Sequence, residues 1–577
     1  METALKSERI NIFSRLTVAD GLTALLAVGA AIMRFVDLGK LPLSPAEAAE
    51  AWSVWQFWQP GGAGASASPA YFSLTSLLLP LLGDSDTVMR LVPALVGLGI
   101  VFLPWLLRRQ LGTVGTLTAV TLLTISPIQA IVSRTAGGDT LALLAILFML
   151  VAMLRYDESK SSRWFIALFA GLALGLISSP LFYGGLAILL MATRSGWRRR
   201  LADIDGKLGR RTAVTTLALF FALSTLVLWH LPGLGAAAML PATWIMQFDL
   251  NPAQMFEPVL AFIRYEPFLT LMGVTAVFWA IRSDNSLAKQ LARWMGLVFV
   301  LLLLQPGQMN NAALLTLPIV LLVSLMADRL LQTPLDRIGQ AWTGGALLLG
   351  GLFFVNLARF SRVVTLSPQE FSSVWIMLMA VTAGLMTIYF LSTWEGTAAS
   401  TGSTAVLQGA FLALLAFSAF YQWGTGWWLS HEAANDPRER WVTQATDNEI
   451  RLLVTTLQDV SWQANNANYG LDIFSSVDSP TLRWYLRHFQ KVQFGNSLPV
   501  SAQNQVIISP YNAELSLGSD YAGADFGILR DGLLPSEFPS PTPSLDILRW
   551  WLFHESSLAT NEERVILWWR TDLSKEG

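Results

Sequence analysis

Long apolar stretches fill the first 422 residues of this 577-residue chain, and then they stop. A hydrocarbon core takes roughly 20 apolar residues per spanning helix. Runs such as Leu22–Phe35, Val88–Leu107, Leu141–Leu154, Leu217–Leu231 and Val374–Leu391 supply that length with their flanks. The chain therefore reads as a polytopic α-helical membrane protein with about thirteen transmembrane helices. The spans fall near 18–36, 87–107, 113–131, 138–155, 163–179, 181–193, 212–231, 266–282, 293–305, 311–327, 341–358, 371–393 and 404–422. Residues 1–423 form the membrane domain on this reading, and 424–577 a separate water-soluble α/β domain.

Composition narrows the function. The chain is 53% hydrophobic and 14% charged, with mean hydropathy +0.48, against roughly 25% charged residues in soluble domains. A net charge of −2 leaves no basic face to neutralise phosphates along a duplex, so no nucleic-acid partner is expected. With no cysteine, disulfides, thiol nucleophiles and thiolate metal sites are excluded. The four histidines, His230, His431, His488 and His554, lie far apart without metal-ligand spacing, and no metal site is read from them. The polar Met1–Thr17 segment, with no small-residue cleavage site after the first apolar run, does not read as a cleavable signal.

Lys and Arg fix the orientation, because cytoplasmic loops carry their excess. With the N-terminus (Lys6, Arg9, Arg15) in the cytoplasm, the basic loops Arg108-Arg109, Arg155–Arg163, Arg194–Arg211, Arg282–Arg293 and Asp328–Arg337 fall on that side. An odd number of spans then puts the C-terminal domain outside the cytoplasm. The localisation implied is a multi-pass protein of the cell membrane, in contact with membrane lipids. This count keeps 163–179 and 181–193 as two spans despite the break at Ser178-Ser179-Pro180.

The outer loop 37–86 is more than a linker. Within Ala46–Trp58, Glu47 and Glu50 oppose Trp52, Trp55 and Trp58, which recur at threes and share a helix face. Amphipathic rings of this kind suit a helix lying at the headgroup level. An acidic pair in such a loop is also a place for a general base. A second apolar run, Tyr71–Leu82, is too near the next span to cross separately.

The segments "SPAYFSLTSLLLPLLGDSDTVMRLVPALVG" and "ISPIQAIVSRTAGGDTLALLAILF" carry a resemblance over about residues 18–200. They are similar to GT-C type polyprenyl-phosphate-dependent glycosyltransferases, the protein O-mannosyltransferase and aminoarabinose-transferase group. The matching positions are Met89-Arg90-Leu91, Ser126-Pro127, Ser133-Arg134 and Asp139. The pieces "RYEPFLTLMG", "HEAANDPRERWVTQAT" and "DSPTLRWYLRHFQ" resemble the prokaryotic branch associated with flippase activity in surface glycosylation. The sequence departs from the group at two places. Ala46-Glu47-Ala48 stands where the family has Asp-Glu-Ala, and 305–311 is uncharged where that branch often carries an acidic–basic pair.

The resemblance implies transfer of a sugar from a polyprenyl-phosphate-linked donor to a surface glycan, lipid or protein acceptor on the outer face. It implies a general base, because the acceptor hydroxyl must lose its proton, and cations to hold the leaving phosphate. Glu47 and then Glu50 are the expected catalytic carboxylates. Arg90 and Arg134 are the expected phosphate ligands, Asp139 would orient an arginine or a divalent cation, and Glu266 would line the pocket. For Arg134, and more strongly for Arg90, the alternative is snorkelling to the headgroups, and for Asp139 and Glu266 a role at a helix N-terminus. Ala46 and the uncharged loop keep a second function open, a non-catalytic subunit that binds lipid or a membrane-protein partner.

In the C-terminal domain, Thr446 and Glu449 have capping-box spacing before a helix to about Val460. Strands are expected at Leu471–Val477, Val492–Gly495, Val506–Ser509 and Arg564–Arg570, with a helix from Ser479-Pro480 to Gln490. The segment Pro535–Ser544 reads as a loop. The pairs Trp427-Trp428, Trp550-Trp551 and Trp568-Trp569 read as interfacial, core or docking residues, or as platforms for sugar rings.

Overall fold

A computed structural model describes Val18 to Leu573 except residues 65, 195, 198–199, 201–204, 253, 333–336, 367–375, 387–401, 496–503, 514–516, 518–519, 533–549 and 555–559. Lys6, Arg9, Arg15, Arg198, Arg199, the Pro535–Ser544 loop and part of the span expected at 371–393 lie outside the described residues. The first helices are α1 (Val18–Phe35), α2 (Pro45–Phe57), α3 (Pro69–Leu82), α4 (Asp86–Phe102), α5 (Arg108–Ile125), α6 (Pro127–Ser133) and α7 (Asp139–Ser159). Later ones include Ser162–Leu176 and Pro180–Ala192, separated at the expected Ser178–Pro180 break.

Among the described residues, six helices are long and apolar enough to cross a membrane, or seven if one bent pair counts as a span. The helices at Asp139–Ser159 and Met309–Leu330 are the most enclosed of the six. The bent pair, Glu257–Tyr265 and Pro267–Arg282, turns through 103° at Glu266. Pro267 sets that break, since proline disfavours helical backbone in the residue before it. Two helices of the 231–265 region, Pro232–Met246 and Glu257–Tyr265, were not expected. The expected span 113–131 is divided between α5 and α6 because Ser126-Pro127 ends one helix and caps the next. α5 itself is kinked at Gly112 (φ +73°), where a Cβ would meet the Asp328 carboxylate at 2.0 Å.

The C-terminal region holds a six-stranded sheet of order β1-β5-β6-β4-β2-β3. Its strands are β1 (Gln444–Thr446), β2 (Asp472–Ser475), β3 (Lys491–Phe494), β4 (Val506–Pro510), β5 (Tyr521–Asp531) and β6 (Asn561–Arg570). β2 runs parallel to β3 and β4, and the other pairings are antiparallel. The capping box expected at Thr446–Glu449 does not form. Thr446 belongs to β1 and the helix starts at Glu449, whose carboxylate instead accepts from the Gly527 amide (2.6 Å) and Arg564 (3.1 Å). The helix expected through Gln490 stops at Tyr485, with Ser479 capping it as expected. β5, rich in Gly, Ala and Asp, had no apolar alternation to announce it.

The short helix Pro480–Tyr485 fastens this sheet to the loop that carries α2. The Tyr485 hydroxyl accepts from the Leu43 amide (2.9 Å) and donates to Asp86 (2.9 Å), and the Trp484 indole also donates to Asp86 (2.9 Å). Arg451 reaches Asp86 (2.7 Å) and the Gly39 carbonyl (2.8 Å), while Arg487 pairs with Asp84 (3.0 Å). A second fastening is Glu439, which accepts from Tyr265 (2.8 Å) and Trp428 (3.0 Å) and meets His554 (3.1 Å). The tryptophan pairs are occupied within the chain: Trp427 stacks on His431, Trp550 packs edge-on to Tyr265, and Trp568 donates to Ser509.

Candidate functional site

A cavity of about 370 Å³ opens at the end of the bundle that faces the sheet. Its wall comes from the turn after α1, the start of α2, Arg90, the end of α6, the loop 307–310 and the segments around Ser430 and Trp441. The elements meet there because each of them ends there, and helix ends carry the unpaired backbone groups that polar side chains satisfy.

α2 begins with a capping box. Ser44 Oγ accepts from the Glu47 amide (3.4 Å), the Glu47 carboxylate accepts from the Ser44 amide (2.9 Å), and Pro45 occupies the first turn. As the third residue of the box, Glu47 points back under the loop. There it meets Arg90 in a fork, Nε to Oε1 at 2.8 Å and Nη2 to Oε2 at 2.7 Å, and accepts from the Ala136 amide at 2.7 Å. Arg90 spends its remaining donors on the carbonyls of Leu38 (3.1 Å), Leu41 (2.8 Å) and Pro42 (3.0 Å). Burial raises the cost of charging Glu47, but the Arg90 charge and these donors outweigh it and hold the carboxyl below its usual range. Each Glu47 oxygen thus accepts two hydrogen bonds, which leaves no lone pair free to take a proton from a substrate.

Arg134 caps the C-terminus of α6 on the same cavity. Its donors go to backbone carbonyls: Ser430 (3.1 Å), Met33 (3.3 Å), Val36 (2.8 Å) and Asp37 (3.1 Å). Three of these acceptors lie at or just past the end of α1, where carbonyls lack helical partners. Burial, then the neighbouring Arg90 charge, lowers its pKa to about 10. It stays protonated at neutral pH, and among the described residues no carboxylate forms an ion pair with it, although the charges of Asp37 and Glu47 favour it from farther off.

Ala46 lines the cavity and is exposed, whereas Glu47 is 3% exposed. The position at which the resembled family has its aspartate therefore faces the open space, and the adjacent glutamate faces the interior. Glu50 lies one turn along α2, outside the cavity lining, and accepts from the Ser66 hydroxyl and the Ala67 amide (3.1 Å). Burial pushes its pKa up to about 7. Asp139 opens α7 and accepts from Asn310 Nδ2 (2.5 Å), a residue of the cavity wall. The uncharged loop is held by amides: Gln305 donates to the Trp244 carbonyl (3.1 Å) and accepts from Asn311 (2.8 Å). Glu266 does not reach the cavity lining; it is buried at the 103° bend and accepts from Ser126 and Gln422.

The structure thus brings Glu47, Arg90 and Arg134 together, sets Asp139 one hydrogen bond behind them, and keeps Glu50 and Glu266 apart. Among the described residues no three His, Cys, Asp or Glu side chains cluster as a metal site. The sequence reading missed Asp37 and Arg34. Asp37 lines the cavity; Arg34 is 1% exposed, and donates to the carbonyls of Ala30 (3.3 Å) and Leu123 (3.2 Å). The available signal was an arginine inside an apolar run, which in lipid needs a reason to be there.

Residues 66–230 match the family model described as dolichyl-phosphate-mannose-protein mannosyltransferase. No curated protein sequence matches the chain. Among solved structures, ArnT from Cupriavidus metallidurans in the apo state superposes with TM-score 0.54 at 13% identity, covering 97% of this chain and 100% of that one. ArnT from the same organism bound to undecaprenyl phosphate superposes with TM-score 0.56 at 14% identity, covering 96% and 99%. The family match and the shared fold bear out the GT-C resemblance read from the sequence.

Proposed function

We propose that this chain is an integral membrane glycosyltransferase. On this reading it takes a sugar from a polyprenyl-phosphate donor and passes it to an acceptor hydroxyl of a surface glycan, lipid or protein. The observation that carries the proposal is Arg134, a buried, protonated guanidinium on the cavity wall whose described hydrogen-bond acceptors are all neutral carbonyls. A buried cation that makes no ion pair, and is only partly offset by the nearby Asp37 and Glu47 charges, is costly unless an anion completes it, and guanidinium–phosphate pairing is among the stronger hydrogen-bonded contacts. As the donor's anomeric bond breaks, charge builds on the phosphate, and a guanidinium held in place beforehand stabilises that change.

The topology goes with it. The cavity and the sheet lie at one end of the bundle, and the basic loops around Arg108, Arg155 and Arg200 are assigned to the other. We place the basic end in the cytoplasm, the cavity and residues 424–577 outside it, and retain thirteen spans with a cytoplasmic N-terminus. A second reading, a catalytically silent subunit, is favoured by one observation: the cavity-facing position 46 is alanine.

The test uses the full-length protein in nanodiscs with undecaprenyl-phosphate-linked mannose, glucose, galactose and arabinose, with and without EDTA to expose any divalent-cation requirement at Asp139. Water or an envelope extract serves as acceptor. Release of undecaprenyl phosphate from at least one donor is expected. No release from any of them, with either acceptor, favours the silent subunit.

A further inference from the structure

We propose that Asp37 is the carboxylate that takes the acceptor's proton in this chain, in the role that Glu47 is too fully engaged to fill. The inference rests on the glycosyltransferase reading above. Among the described residues Asp37 and Glu47 are the carboxylates of the cavity wall, and their situations are opposite. Both Glu47 oxygens are occupied by Arg90 and by backbone amides. Among the described residues no donor reaches the Asp37 carboxylate, and the residue is exposed to the cavity side of the loop.

Asp37 is nonetheless held firmly. Its carbonyl accepts from Arg134 Nη2 (3.1 Å) and from the Lys40 amide (3.1 Å), closing a tight turn directly after α1. Its φ of +51° is left-handed, a conformation that Asp and Asn tolerate better than most residues. The turn also packs closely against α4, where a Cβ on Gly39 would come within 2.2 Å of the Thr87 hydroxyl. The backbone bearing this carboxylate is therefore bonded to the guanidinium assigned to the donor phosphate, on which the Asp37 charge also acts. A base fixed relative to the leaving group is the arrangement that displacement at the anomeric carbon requires.

The step balances. The acceptor oxygen forms a bond to the anomeric carbon, and its proton passes to the Asp37 carboxylate. The bond from the anomeric carbon to the phosphate oxygen breaks, and its electron pair leaves with the lipid phosphate, paired to Arg134. Water as acceptor follows the same course and releases the free sugar.

The experiment compares Asp37→Asn with the wild-type protein in nanodiscs, using the four undecaprenyl-phosphate sugars and measuring both lipid-phosphate release and undecaprenyl phosphate binding. Removing a general base lowers rates by about 10²–10⁴-fold. Asp37→Asn is expected to lose release by that order while binding undecaprenyl phosphate within about threefold of wild type, a margin under 1 kcal/mol. Adding Ala46→Asp to Asp37→Asn returns an acid to the same cavity and is expected to recover at least tenfold of the loss. Asp37→Asn turning over like an active wild-type protein would overturn the assignment. A wild-type protein that releases nothing overturns the glycosyltransferase reading itself, and this inference with it.

Discussion

Arg90 and Arg134 stand on one cavity and are both nearly buried, yet they are solvated in opposite ways. Arg90 is bonded to the Glu47 carboxylate and to three carbonyls, so its charge is neutralised inside the protein. Arg134 donates to carbonyl dipoles and, among the described residues, forms no ion pair, with Asp37 and Glu47 acting on it only at longer range. A charge balanced internally holds a wall in place, and a charge left unbalanced has attraction to spare for something else. The same contrast recurs on α2 among the acids: Glu47 has a cation, and Glu50, one turn on, has a hydroxyl and an amide.

The most disruptive way to break the comparison is Glu47→Ala, which leaves the buried Arg90 without its paired carboxylate. Breaking a buried pair by removing one partner costs about 3–5 kcal/mol. The variant is expected to lose stability of that order in chemical denaturation in mild detergent, whereas a loss below about 1 kcal/mol would mean that the pair is not the lock described.

Glu50→Gln sharpens the contrast through pH. Glu50's pKa in the folded protein is raised by burial to about 7, above its unfolded value, so its folded form favours the proton. Stability from this group is complete below about pH 4.5 and is lost as pH rises through about 7. At 1.36 kcal/mol per unit the whole effect is roughly 3 kcal/mol. Glu50→Gln should therefore gain stability over wild type at pH 8 and show little difference at pH 4.5. A gain confined to low pH would reverse the assignment.

The smallest effect belongs to the solvent end of the loop, where Arg451 meets Asp86 at 2.7 Å with its side chain 40% exposed. Exposed pairs contribute about 0.2–1 kcal/mol. Arg451→Ala should cost no more than that and should lose its effect in high salt, readable as a melting shift with and without 1 M NaCl.

Much of this was legible in the sequence. Many helix positions followed apolar length, whereas the capping box of Ser44, Pro45 and Glu47 that starts α2 and aims Glu47 went unread. A capping-box glutamate is turned toward the backbone, so Glu47 meets Arg90 and backbone amides while its neighbour Ala46 is the exposed one on the cavity wall. Glu266 looked like a pocket residue because it precedes a span, but the Pro267 break folds it under the bundle. Asp37 went unread because nothing in its local pattern distinguishes a turn aspartate from a site residue. Its meaning comes from Arg134, nearly a hundred residues on, and from a cavity formed by helix ends distant in sequence. β5 and the Glu439 fastening are long-range in the same way.

The most direct measurement is the affinity of full-length Arg134→Gln for undecaprenyl phosphate in nanodiscs, beside its thermal unfolding. Replacing the guanidinium with a neutral amide is expected to weaken binding about 10–100-fold, or roughly 1.4–2.8 kcal/mol, with only a modest fall in unfolding temperature from the carbonyl contacts it gives up. Unchanged affinity, or a loss of affinity matched by a collapse in unfolding temperature, would contradict the assignment of Arg134 as the phosphate anchor.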